Sequence, residues 1–231
     1  MLGALAAVAL AAGGAAAVAA RAPLRPAGAI VRPVLGAPSV TATDPSAPCA
    51  TLRSGAAGQC GVVATAAGPI AYTLQPGSPS QPGLVSRPWT VTVYRAAGAR
   101  AWRAALQTRP GLGQAGPLFA TVTARAAIVG GQPLLLLGYR SEGSGAFLDL
   151  DVIRGTARGP RVAAHLRLAE GVAVEQRGAL VTYGASYRPG DANCCPSFVE
   201  RTVIRAHGTI LVAASRQLPS ARVSVPASEV G

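Results

Sequence analysis

Short β-prone runs recur along most of this chain at intervals of roughly ten residues, each bounded by glycine or proline. They are Trp89 to Arg95, Trp102 to Leu106, Leu118 to Val129, Leu134 to Tyr139, Ala146 to Arg154, Val162 to Leu168, Val172 to Glu175, Ala179 to Tyr187, Phe198 to Ile204 and Ile210 to Ala213. Strands this short must pair with sequence neighbours, so the spacing predicts an all-β fold: a mainly antiparallel sandwich, barrel or propeller-like sheet. No repeat of about 20 to 50 residues is evident, which weighs against a complete propeller.

Two hairpins stand out. Trp89 to Arg95 alternates, and after Ala96-Ala97-Gly98 the chain runs on through Trp102 to Leu106. Trp89, Tyr94 and Trp102 read as strand packing rather than as a sugar-stacking surface. The second hairpin brackets Tyr187 to Ser197, where Pro189, Gly190, Asp191 and Asn193 supply turn chemistry and Pro196 holds Cys195 extended. This loop carries two of the four cysteines, Cys194 and Cys195; the others are Cys49 and Cys60. All four are read as disulfide cysteines. Neighbouring Cα atoms sit about 3.8 Å apart, short of the roughly 4.4 to 6.8 Å a disulfide prefers. The leading expectation is therefore that Cys194 and Cys195 each reach back to the N-terminal pair, with Cys49 to Cys60 as the alternative. Adjacent cysteines lack the gap of a zinc knuckle, so no metal site is predicted.

The run Tyr187, Arg188, Gly190, Asp191, Asn193, Cys194, Pro196, followed by a β-prone stretch through His207-Gly208 to Leu218-Pro219, resembles the end of the actinobacterial LppP/LprE type lipoprotein domain. The resemblance covers about a fifth of the chain and implies an envelope-attached protein. The chain departs from a lipoprotein in that no cysteine follows its apolar N-terminus as a lipid acceptor.

Residues Leu2 to Ala20 carry no charge and approach the length of a bilayer-spanning helix, so residues 1–20 read as a signal peptide or membrane anchor preceding the β domain. Ala17-Val18-Ala19 offers small residues for cleavage; uncleaved, the segment is the membrane contact. Residues 21–48, with six prolines, read as a Pro/Ala-rich linker, and residues 49–231 as a β-rich extracytoplasmic domain. Gln75 to Pro88 reads as a surface loop within it.

All 21 basic residues are arginine against nine acidic ones, giving a net charge of +12. Such a chain is drawn to anionic surfaces: phospholipid head groups, wall polyphosphate or an acidic protein partner. The arginines are scattered, and the ten aromatics form no stacking platform, which disfavours nucleic acid.

The strand Phe147-Leu-Asp-Leu-Asp-Val-Ile153 puts Asp149 and Asp151 on one face and Leu148, Leu150 and Val152 on the other. The carboxylates are read as a solvated polar face or as partners of Arg140 and Arg154. Calcium binding with oxygens from Glu142 to Ser144 lacks the usual loop pattern. Gly143-Ser144-Gly145 is a glycine turn, since a nucleophile elbow needs glycine where Glu142 stands. His165 and His207 have no second histidine at ligand spacing and read as structural or exposed. No phosphate loop, dinucleotide motif or cofactor signature occurs. These observations predict an exported cell-envelope protein, secreted or membrane-anchored, with a non-catalytic binding or structural role. The competing class is a secreted hydrolase using Asp149, Asp151 or His165.

Overall fold

The computed structural model describes residues 34–38, 48–51, 58–78, 85–98, 101–108, 118–142, 146–192 and 194–226. The apolar segment 2–20 lies outside them, as do Gly143, Ser144, Gly145 and Asn193. Among the described residues no helix is long and apolar enough to cross a membrane.

Among the described residues fourteen antiparallel strands form three sheets. In chain order the first sheet contains β1 (Leu35–Gly36), β2 (Gln59–Val63), β3 (Ile70–Pro76), β4 (Arg87–Ala96), β5 (Trp102–Thr108) and β6 (Leu118–Phe119). Its spatial order is β1-β5-β4-β3-β2, with β6 paired to β4. The middle sheet is an up-and-down meander of β7 (Thr121–Val129), β8 (Gln132–Arg140), β9 (Phe147–Arg154) and β10 (Arg161–Ala169). A second meander of β11 (Val172–Gln176), β12 (Ala179–Ser186), β13 (Phe198–His207) and β14 (Ile210–Pro219) makes the third sheet. Both predicted hairpins form, β4 with β5 and β12 with β13. Among the described residues the three sheets stay separate and close no barrel.

The middle sheet is buried on both faces. Leu135, Leu137, Tyr139 and Ile153 on one face pack against Ile70, Leu74, Trp89, Val91 and Val93 of the first sheet. From the other face Leu134, Leu136, Leu150 and Val152 pack against Ala173, Leu180, Ile204 and Leu211 of the third. Continuous apolar runs such as Leu134-Leu135-Leu136-Leu137 follow from this placement, because a strand covered on both sides has no polar face to show. Tight turns suit the meanders: Gly130 and Gly131 (φ 57° and 78°) join β7 to β8, and Arg177 and Gly178 (φ 51° and 69°) join β11 to β12. The Gly130 N–H donates to the Gly178 carbonyl at 2.8 Å, tying the two turns together.

Three sequence readings change. The stretch 21–48 is not tether throughout: Leu35, 2% exposed, enters the first core, and Leu35 and Gly36 pair with Thr108 and Gln107. Strands β2 and β3 were not anticipated, and β3 extends into the expected loop at Gln75 and Pro76. The cross-pairing of cysteines does not occur: Cys49 is bonded to Cys60 with Cα atoms 5.4 Å apart, and Cys194 and Cys195 are free and exposed. Cys49 lies in a 3-10 turn (Pro48–Thr51) against β2 and β3, whereas the adjacent pair sits on the third sheet.

Replacing Leu150, fully buried between the middle and third sheets, by alanine is expected to cost about 2 to 5 kcal/mol in denaturant unfolding. Ile210→Ala, at a position 63% exposed, is expected to stay within about 0.5 kcal/mol of the parent.

Candidate functional site

The period-two reading of Phe147 to Ile153 holds, but its consequence is reversed. Asp149 and Asp151 do share a face, yet that face looks into the core between the first and middle sheets, where they are 3% and 0% exposed. A buried carboxylate needs compensating charge or hydrogen bonds. Neither Arg140 nor Arg154 provides them: Arg140 donates to the Gly171 carbonyl and Arg154 to that of Thr209. The partners come from β10, directly across the ladder, where His165 faces Asp151 and Arg167 faces Asp149.

That register depends on one residue. Val162 pairs with Ile153, but Ala164 pairs with Val152, so Ala163 is an extra residue in β10. A bulge of this kind shifts the strand by one position and moves every later side chain to the opposite face. Without it, His165 and Arg167 would oppose Leu150 and Leu148 on the apolar side. With it, Ala163 and Ala164 both pack toward the third sheet and the two basic side chains reach the carboxylates.

Arg167 grips Asp149 bidentately, Nε to Oδ1 at 2.7 Å and Nη2 to Oδ2 at 2.8 Å. Its guanidinium also lies over the Phe147 ring, 5.6 Å from the centroid. His165 Nδ1 lies 2.7 Å from Asp151 Oδ1, within hydrogen-bonding distance. Asp151 Oδ2 accepts the Leu35 N–H at 3.2 Å, which fastens β1 to the middle sheet. Tyr139 completes the row. Opposite Asp149 in the ladder, its hydroxyl lies near enough to the carboxylates to hold its proton but makes no aligned hydrogen bond. Burial, then the charge and approach of Asp151, then Asp149, raise its pKa well above the ordinary value.

An aspartate-oriented imidazole is the supporting half of a hydrolytic triad, which needs a nucleophile at the other ring nitrogen. Here His165 Nε2 is buried without a hydrogen-bond partner, and it faces Asp149 Oδ1 at 3.8 Å. The geometry suits electrostatic pinning of strands. His207 is exposed at the end of β13 and belongs to no such row. Trp89 and Tyr94 point to opposite faces of β4: Trp89 donates to the Phe119 carbonyl at 3.1 Å, while Tyr94 approaches Thr73.

A different feature faces outward. Each sheet places one arginine directly opposite another: Arg95 with Arg103, Arg154 with Arg161, and Arg201 with Arg216. The first two pairs flank the β4–β5 and β9–β10 turns, which lie side by side. Arg95 and Gly155 to Ala157 line a common recess of about 70 Å³, beside a cleft of about 500 Å³ between Thr65 to Ala67, Gln132, Arg154 and Thr209. Gly159 (φ 110°) makes the approach close; a Cβ there would lie 3.1 Å from Arg95 Cδ. Arg158, exposed in the same turn, adds a further charge, and neither Arg158 nor Arg161 pairs with a carboxylate among the described residues. Period-two spacing alone did not reveal this rim, because cross-strand register decides which arginines meet.

The loop of the cysteine pair is braced by Asp191. Oδ2 accepts the N–H groups of Arg188 (2.7 Å) and Ser197 (2.8 Å), and Oδ1 the Ser197 hydroxyl (2.7 Å). These bonds, that of Arg188 first, hold the Asp191 pKa below its ordinary 3.8. A depressed carboxylate pKa stabilises above the ordinary value and ceases to do so as pH falls through the lower folded value.

Arg167→Ala strands Asp149 in the core and is expected to cost about 3 kcal/mol, the low end for a broken buried pair because Arg167 is 46% exposed. Amide exchange should show protection of Arg188 and Ser197 from neutral pH down to about pH 4, loss of it in stronger acid, and none at any pH in Asp191→Ala. Comparison with known protein families, with curated proteins and with solved structures finds no match, so the functional reading rests on this geometry.

Proposed function

We propose that this chain is an exported cell-envelope protein with a non-catalytic binding role, in which exposed arginines contact an anionic envelope component or an acidic partner protein. The observation that carries the reading is the arginine rim at the β4–β5 and β9–β10 turns. Like charges directly opposite one another weaken the sheet that holds them, and an anion lying across both relieves the repulsion. Six of the acidic residues are engaged elsewhere. Asp149 and Asp151 are committed to the core, Asp191 and Glu142 brace turns, Glu170 accepts the Tyr187 hydroxyl, and Glu175 accepts the Ile128 N–H. Asp149 and Asp151 are withdrawn into the core, which leaves the surface more positive than the composition alone implies.

Export is supported by the uncharged segment Leu2 to Ala20 and by the Cys49–Cys60 disulfide, a bond that persists in oxidising compartments. The C-terminal resemblance to an envelope lipoprotein domain points the same way. The non-catalytic assignment is supported by the buried row of Asp149, Asp151 and His165, in which Arg167 binds Asp149 and Asp151 is held by His165 and the Leu35 N–H of β1.

Binding of the full chain to vesicles containing anionic phospholipid, against vesicles of zwitterionic lipid, tests the reading. Binding is expected only to the anionic vesicles at low salt and is expected to vanish near 1 M salt, where screening acts within about 3 Å. Arg158→Glu combined with Arg161→Glu should weaken it at least about tenfold, each reversed contact being worth of the order of 1 kcal/mol near such a surface. Affinity indifferent to salt and to the double reversal would overturn the proposal.

A further inference from the structure

We propose that Cys194 and Cys195 form a bidentate sulfur site for a single soft, thiophilic centre of the copper(I) or trivalent arsenic class. The two residues carry free, exposed thiols, although the chain elsewhere holds a disulfide. They sit in a tight turn, the Cys195 N–H donating to the Ala192 carbonyl at 2.9 Å, with both residues exposed. Closing a disulfide between them would require sulfurs about 2 Å apart on Cα atoms only about 3.8 Å apart, an unfavourable geometry. A bridging centre removes that constraint. Two bonds of about 2.3 Å to one atom let the sulfurs stay up to roughly 4.6 Å apart, a span adjacent residues can offer.

A soft Lewis acid displaces the protons of both thiols as it binds. The Asp191 brace and the Arg188 guanidinium 4.2 Å above the Phe198 ring keep the turn in place before anything binds. Among the described residues no three metal-ligating side chains converge, which leaves a two-sulfur bite as the chemistry available.

The probe is phenylarsine oxide, added without reductant to the full chain with its Cys49–Cys60 bond intact. Two S–H bonds break, two As–S bonds form, and the arsenic oxygen leaves with both protons as water; arsenic keeps its oxidation state. Native mass spectrometry should show one arsenical per chain with both thiols consumed. Cys194→Ser and Cys195→Ser, exposed substitutions that leave the fold intact, should each lose at least about a hundredfold in affinity, because the chelate is gone. Thermal unfolding of both variants at the parent temperature confirms that folding is unchanged. Three results would overturn the proposal: undiminished binding by either single variant, binding that appears only after Cys49–Cys60 is reduced, or recovery of the pair as a second disulfide in the purified exported chain.

Discussion

Two carboxylates closed off from water between β-sheets need compensation that the apolar core does not offer, and Asp149 and Asp151 obtain most of it from the neighbouring strand. Arg167 and His165 supply hydrogen bonds, and Asp151 also accepts the Leu35 N–H of β1. The row from Tyr139 through Asp149 to Arg167 therefore fixes the register of the β8, β9 and β10 ladder. It also fastens the N-terminal strand to the middle sheet. Since the first and third sheets both pack on that sheet, each of the two large cores relies on the same register.

The extra residue Ala163 makes the register possible. A regular β10 would turn His165 and Arg167 into the core shared with the third sheet and leave both carboxylates unpaired. The cost of either outcome, a buried charge without a partner, exceeds what a single strand bond contributes. The bulge thus couples a local irregularity in backbone pairing to the arrangement of all three sheets.

Much of the strand pattern was legible because alternation and turn residues act locally. Trp89 to Arg95 and Val181 to Tyr187 carry enough β-branched and aromatic residues to declare themselves. Strands β2 and β3 did not, since Gln59 to Val63 and Ile70 to Pro76 mix glycine, glutamine and proline with few large side chains. Leu35 was hidden for a similar reason: within a proline-rich stretch, only a distant partner, Asp151, shows that it belongs to the fold. Asp149 and Asp151 were assigned to the correct face of β9 but to the wrong surroundings, because burial of both faces is a property of sheet stacking. A reciprocal signal was present all the same. Asp149 and Arg167, like Asp151 and His165, lie symmetrically about position 158, one residue out of step with the Arg154–Arg161 pair that flanks the turn. For the disulfide, the spacing within Cys194-Cys195 excluded a relaxed bond between neighbours but said nothing of which residues the fold brings to Cys49.

The same partition of charge links stability to the proposed binding. Carboxylates drawn into the core and into turns leave arginines such as Arg158 and Arg161 at the surface without acidic partners among the described residues. Register is again the deciding constraint, for it sets Arg154 against Arg161 as it sets Asp151 against His165. The most direct measurement is the equilibrium unfolding of a chain from which Ala163 alone is deleted. Loss of cooperative folding, or a fall of more than about 4 kcal/mol, is the predicted result, because both carboxylates lose their partners at once. Cooperative unfolding at the parent midpoint would contradict the account, showing that the sheets hold together without the phase the bulge imposes.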